Sequence, residues 1–305
     1  MGLAHIILFW PALLTLLSIS ILVTTAWLAA FYPLLRVPLL VLWIVLILTC
    51  LSTSSIAPPS SWIGRNILNT LLPSAKSLGW KYIDRSNFNH ENQAIYVWYP
   101  HGHLGIGAFG SVACGLGAPW TKRSTALAVS PPFFDIPAVR QGALSLGLVR
   151  SDELSMRSCL GSGNSLVVLA GGVAERNLAA PGSMRLIDGR RGFLRLARDF
   201  KLPIIPIFSF GENELIDEAA EPGPAEGLMK AWHGSLALPS WAAAKRFFGR
   251  PIGTLRVCLG QAFLPGEFTK DLAAEWKTHV SLTYELCKPV GAKPLVWTSL
   301  RPTKM

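Results

Sequence analysis

The stretch Ala94-Ile95-Tyr96-Val97-Trp98-Tyr99 runs into Pro100-His101-Gly102-His103-Leu104-Gly105. Its first six residues are apolar, and their β-branched and aromatic side chains suit a buried, pleated strand. Pro100 ends that strand, because proline brings no amide hydrogen to a ladder. The histidine therefore stands just past a strand end, in a glycine-containing turn. In layered α/β folds this is where ligands bind.

Outward from this junction, strands and helices alternate. Residues 104–116 are glycine-rich and apolar and predict a buried helix. Residues 125–129 form a short apolar run before Pro131-Pro132. Residues 136–146 are expected to be helical. So are residues 151–160, with Ser151 or Asp152 as N-cap. The run Ser165-Leu166-Val167-Val168-Leu169-Ala170 reads as a strand stopped by Gly171-Gly172. In residues 191–200, Phe193, Leu196, Ala197 and Phe200 share one helical face, while Arg191, Arg195, Arg198 and Asp199 point elsewhere. Ile204-Ile205-Pro206-Ile207-Phe208 is a further strand, and residues 218–226 read as a surface loop. The alternation argues for an α/β layered fold with a mostly parallel sheet. It also places the residues after Tyr99, Ala170 and Phe208 on one rim.

The N-terminal part is of another kind. Of the 305 residues, half are hydrophobic and only 15% are charged, and between Met1 and Trp62 the sole charged side chain is Arg36. Residues 6–32 are long enough to cross a hydrocarbon core of ~30 Å. A second apolar stretch covers residues 37–56. Between them, Pro33 and Pro38 stop one helix and restart another. The expectation is an N-terminal transmembrane or re-entrant hairpin over residues 1–62, followed by one domain over residues 63–305. Arg65, Lys76, Lys81 and Arg85 after the hairpin put that domain on the cytosolic side. The net charge of +10 is concentrated there, which suits anionic headgroups or an anionic substrate. Nucleic acid is set aside for want of a recognition motif or a Lys/Arg run. Cys50, Cys114, Cys159, Cys258 and Cys287 form no C-x-x-C pair and are expected to be reduced thiols.

His101 suits general base work, because an imidazole titrates near neutral pH. It equally suits a hydrogen-bonded cap at a helix start. Glu175, after Gly171-Gly172, suits orienting that histidine, contacting a substrate hydroxyl, or pairing with Arg176. Ser209-Phe210-Gly211-Glu212-Asn213-Glu214 ends the third rim strand with polar residues. No G-x-S-x-G elbow is present. His101 and His103 lack a carboxylate or cysteine at a spacing useful for a metal.

Several motifs together resemble the diacylglycerol acyltransferase 2 family, which includes monoacylglycerol and wax-alcohol acyltransferases. They are Tyr99-Pro100-His101-Gly102 with Gly107-Ala108-Phe109; Phe134 with Arg140; Gly161-Ser162-Gly163-Asn164; Gly171-Gly172 with Glu175; Arg190, Gly192, Phe193 and Ala197; and Ser209-Phe210-Gly211-Glu212-Asn213. The chain departs from the family at Tyr99, where the signature has a first histidine, and across residues 215–240, which are shorter and more divergent. Related glycerolipid acyltransferases place an aspartate five residues after the histidine; here that position is Ile106.

The resemblance implies a glycerolipid-acyltransferase-like fold and an acyl-CoA-dependent enzyme of lipid metabolism. Acyl-CoA is then a co-substrate, and neither a cofactor nor a metal is required. The implied acceptor is diacylglycerol, giving triacylglycerol. Monoacylglycerol, a long-chain alcohol and a terpenoid alcohol are alternatives, as is a catalytically silent lipid-binding or lipid-droplet scaffold. The implied location is the endoplasmic reticulum membrane and lipid droplets, with homo-oligomerisation left open. In this reading His101 is the base and Glu175 its orienting acid, with Glu212 next in line. The Gly102 and His103 amides serve the oxyanion; Arg140, Arg190 and Arg191 meet CoA phosphates; Glu212 and Asn213 line the substrate. Deleting residues 1–62 is expected to release much of the protein from salt-washed membranes. Protease protection should find both termini on the cytosolic side, and an N-terminus sheltered in the lumen would overturn the hairpin.

Overall fold

The structure, a computed structural model, describes residues 23, 80–102, 105–112, 124–134, 140, 143–144, 146–176, 178–188, 191–214, 255–266 and 271–299. Apart from Val23, the expected hairpin lies outside the described residues, as do His103, Arg190, Cys50, Cys114 and the loop at 218–226. Among those that are described, no helix is long and apolar enough to cross a membrane.

The strands are β1 (Lys81–Asp84), β2 (Ile95–Tyr99), β3 (Thr125–Val129), β4 (Leu148–Arg150), β5 (Ser165–Val168), β6 (Arg185–Asp188), β7 (Ile204–Phe210), β8 (Arg256–Leu259) and β9 (Val296–Ser299). The helices are α1 (Ile106–Val112), α2 (Glu153–Gly161), α3 (Gly172–Arg176), α4 (Gly192–Asp199) and α5 (Leu272–Cys287), with a 3-10 turn at Pro131–Phe134. Seven strands form the main sheet in the order β1-β8-β7-β2-β5-β3-β4. β2 is central. It pairs in parallel with β7, Tyr99 opposite Phe208, and with β5, Val97 opposite Val168. β3 and β4 continue the parallel run. β8 turns antiparallel against β7 and carries β1 beside it. The ends of β2, β5 and β7 therefore share one rim, as the alternation of the sequence led us to expect.

Every residue of β2 is buried, because the sheet is covered on both faces. Tyr96 and Trp98 enter one core with Ile106, Val112, Val167 and Ile207. Ile95, Val97 and Tyr99 enter the other, with α4 and α5 supplying Phe193, Leu196, Trp276 and Tyr284. The Trp276 indole donates to the Tyr99 hydroxyl at 3.4 Å. The residue that departs from the family signature is thus a core side chain. Cys159, Cys258 and Cys287 are buried and free.

Local signals place the helices that were read. Asp152 caps α2 by accepting from the Ser155 amide at 2.9 Å. At the opposite edge of the sheet, the His90 ring joins the Tyr96 hydroxyl at 2.8 Å and the Asp84 carboxylate at 2.9 Å. It clamps the end of β1 to β2. Three features depart from the sequence reading. Residues 146–147 form a turn that leads into the three-residue β4, which is too short to show a period. β6 and β9 pair in a separate two-stranded sheet across more than a hundred residues. β8, unlike the rest, opposes its neighbour's direction. Long-range pairing of this kind leaves little local trace. For α4, Leu196→Ala should cost about 2–5 kcal/mol, because Leu196 is buried. Exposed Arg198→Ala should cost under about 0.5 kcal/mol. Denaturant unfolding in detergent would measure both.

Candidate active site

The polypeptide leaves β2 at Tyr99 and turns through Pro100, His101 and Gly102. Gly102 and Gly105 have φ of +58° and +62°, a region that disfavours side chains with a Cβ. The Gly105 amide closes the turn on the His101 carbonyl at 2.8 Å, and α1 follows.

His101 is 5% exposed and is held at two points by one neighbouring segment. Its amide donates to Glu175 Oε1 at 3.0 Å. Its ring Nε2 lies 2.9 Å from the Gly172 carbonyl oxygen. A carbonyl only accepts, so Nε2 carries a proton. Both partners come from α3, which follows β5, the strand beside β2. Gly171 must be glycine there, for a Cβ would stand 2.1 Å from Glu175 Cβ.

Glu175 was expected to orient the imidazole, and it does reach His101, but through the main chain. The ring's partner is the backbone carbonyl of Gly172, which no side-chain motif announces. Burial pushes the Glu175 carboxyl up to about 8, against the pull of the His101 and Ile187 amides. At neutral pH it is mostly protonated, so it holds position without offering an imidazolium a full counter-charge. The pairing of Glu175 with Arg176 at the surface fails on burial, since Glu175 is 2% exposed.

Glu212, the second acid, comes from the end of β7 on the other side of β2. Its carboxylate accepts from the Gly107 amide at 2.9 Å and from the Ser209 hydroxyl at 2.8 Å. α1 has no acid of its own in its first turn, and Glu212 supplies the missing cap from afar. Burial raises its carboxyl to about 7, with the Gly107 amide and the Ser209 hydroxyl among the contacts that pull it down. Cβ atoms at Gly102 and Gly107 would press on Glu212, the latter at 2.2 Å from Oε2. In this structure Glu212 caps α1. Asn213 is buried beside it, its Nδ2 donating to the Ser183 carbonyl at 2.7 Å.

His101, Gly102, Glu175, Glu212 and Asn213 thus meet on one rim. The arginines do not all join them. Arg191, exposed at the start of α4, lines a shallow hollow over Tyr99 with Asp188, Lys277 and Trp297. Arg140 is half-buried. Among the described residues no three His, Cys, Asp or Glu side chains could hold a metal ion.

The model of the diacylglycerol acyltransferase family matches residues 34–235, which include every described residue of this rim cluster. The chain belongs to the diacylglycerol acyltransferase family. A diacylglycerol O-acyltransferase 2 of Dictyostelium discoideum is 28% identical over 193 residues, 58% of this chain and 57% of that protein. A human acyl-CoA wax alcohol acyltransferase 2 is 31% identical over 150 residues, 47% of this chain and 45% of that protein. The chain spans about half the length of these curated relatives. The crystal structure of a 1-acyl-sn-glycerophosphate acyltransferase from Thermotoga maritima aligns with a TM-score of 0.44 at 15% identity, over 75% of this chain and 80% of that one.

The raised carboxyls have a thermodynamic consequence. An unfolded glutamate releases its proton near 4.5, whereas folded Glu175 holds it to about 8. The folded state therefore binds more protons across that window, and its stability falls as pH rises through it. Thermal midpoints of the wild type should drop between about pH 5 and about pH 8. Glu175→Gln keeps an oxygen for the His101 amide and should flatten the slope. An equal slope in both proteins would count against the neutral buried carboxyl.

Proposed function

We propose that the protein is an acyl-CoA-dependent O-acyltransferase that esterifies a lipid hydroxyl, with diacylglycerol as acceptor, and that His101 is its general base. The observation that carries this reading is a buried histidine at the end of the central strand, with Nε2 committed to the Gly172 carbonyl. In this reading the other ring nitrogen, Nδ1, takes the substrate proton.

In this mechanism Nδ1 takes the proton as the acceptor oxygen attacks the thioester carbonyl. The amides of Gly102 and His103 meet the tetrahedral oxyanion, and a well-placed donor contributes about 2.7–4 kcal/mol. The intermediate collapses, the carbon–sulfur bond breaks, and CoA leaves as the thiol with the proton from His101. Glu175 is a positioning residue: it fixes the main chain that carries the base. Arg140, Arg190 and Arg191 are assigned to CoA phosphates, because guanidinium groups pair with phosphate oxygens in a bidentate manner. Acyl-CoA is consumed as co-substrate. The N-terminal hairpin keeps the site at the cytosolic face of the endoplasmic reticulum membrane and at lipid droplets, where the acceptors reside. Homo-oligomers are compatible with this arrangement.

The purified protein should transfer labelled oleate from oleoyl-CoA to dioleoylglycerol. His101→Ala should lower turnover by about 10²–10⁴-fold, with His103→Ala milder. A dead His103 variant beside an active His101 variant would reassign the base, and a wild type inert towards every alcohol would favour a lipid-binding scaffold.

A further inference from the structure

The long helix α5 ends at Cys287, and β8 carries Cys258. Cys258 stands between Phe208 of β7 and Ile83 of β1. Its side chain enters the core that α5 covers, and Cys287 belongs to the same core. Both Sγ atoms lie 3.9 Å from one acceptor, the Leu259 carbonyl oxygen. The two thiols also hydrogen-bond to each other. The packing of α5 on β8 thus sets two sulfur atoms side by side. Neither takes part in the acyl transfer, and both lie beyond residues 34–235, the part matched to the family.

The pair is asymmetric. The hydrogen bond from Cys287, helped by the charges of Arg85 and Arg256, holds the Cys258 thiol below its ordinary value against the effect of burial. The same bond, together with burial, raises the Cys287 thiol. A thiolate is the nucleophile in sulfur chemistry, so Cys258 is the attacking sulfur and Cys287 the resolving one. Cys159, in the same core, is shifted by burial alone, up to about 12.

Both thiols of the pair are buried. Cys287 is nevertheless the last residue of α5, with exposed Leu286 before it and exposed Lys288 after it. Exposed Arg85 holds that end by donating to the Leu286 carbonyl. Helix ends fray at little cost in free energy, and opening the last turn admits a molecule as small as hydrogen peroxide.

We infer that Cys258 and Cys287 are a redox pair, which a peroxide converts into an intramolecular disulfide that staples the end of α5 to β8. The Cys258 thiolate attacks the peroxide: a sulfur–oxygen bond forms, the oxygen–oxygen bond breaks, and the departing hydroxide becomes water with the proton that the thiol released. The Cys287 sulfur then attacks the resulting sulfenic acid. The sulfur–sulfur bond forms, the sulfur–oxygen bond breaks, and hydroxide leaves as a second water with the Cys287 proton. Two thiols are oxidised by two electrons in all, and one peroxide is reduced to two waters. A disulfide of this kind on a cytosol-facing domain is reversible and redox-sensing.

The test treats the full-length protein in detergent with graded hydrogen peroxide and blocks the remaining thiols with N-ethylmaleimide. Peptides are then mapped by mass spectrometry without reductant. The peptides holding Cys258 and Cys287 should appear joined, and dithiothreitol should separate them. Cys159 should stay reduced throughout. The joined protein should melt about 4 °C or more above the reduced one. In Cys287→Ser, Cys258 should stop at the sulfenic acid, which dimedone traps, and the melting temperature should not rise with peroxide. A link that forms only in urea, a link from either cysteine to a third one, Cys159 oxidised as readily as the pair, or joining without a rise in melting temperature would each overturn the inference. The wild-type map decides the matter by itself if Cys287→Ser does not fold, and two thiols still open to N-ethylmaleimide after peroxide refute the pair.

Discussion

The hydrogen bond from the His101 amide to Glu175 is the constraint around which the rim is built. β2 and β5 are neighbours in a parallel sheet, so the turns leaving them lie side by side. A side chain from one turn can then fix the main chain of the other. The imidazole is tied to the same turn through Gly172. Backbone and ring are located together, and neither can swing without breaking a bond inside a dry interior. A ring held in this way is ordered before any ligand binds.

The second buried acid completes the clamp from the other flank. Glu212 follows β7, the other neighbour of β2, and holds the first turn of α1 through Gly107. The glycines of the histidine loop follow from this closeness. At Gly102 and Gly107 a Cβ would run into Glu212, and at Gly171 into Glu175. Both carboxyls are raised by burial, so the protein gives up some stability at neutral pH to keep two acids where the loop needs them.

The same packing explains the core. Tyr99 replaces a histidine of the family signature, yet it points away from the loop towards Trp276 and Trp297. β2 ends at Tyr99, so His101 lies outside its alternation. A change at Tyr99 is thus a change in packing between β2 and α5.

The sequence by itself determined the central strand, the strands read over residues 165–170 and 204–208, the N-cap region of α2, the buried face of α4, and the shared rim. All of these rest on short-range periodicity and on breakers such as Pro100 and Gly171 that act within a few residues. It also placed His101, Glu175, Glu212 and Asn213 on that rim. Only the tertiary structure decided what each does there. Glu175 and Glu212 are alike as residues following strand ends, and they differ because one meets an amide of the histidine loop and the other an amide of α1. The ring's partner is a carbonyl, which every residue carries and no sequence position marks. β9 pairs with β6 across more than a hundred residues. Such contacts are chosen by the closure of the whole chain around its core, and a local pattern holds no record of them.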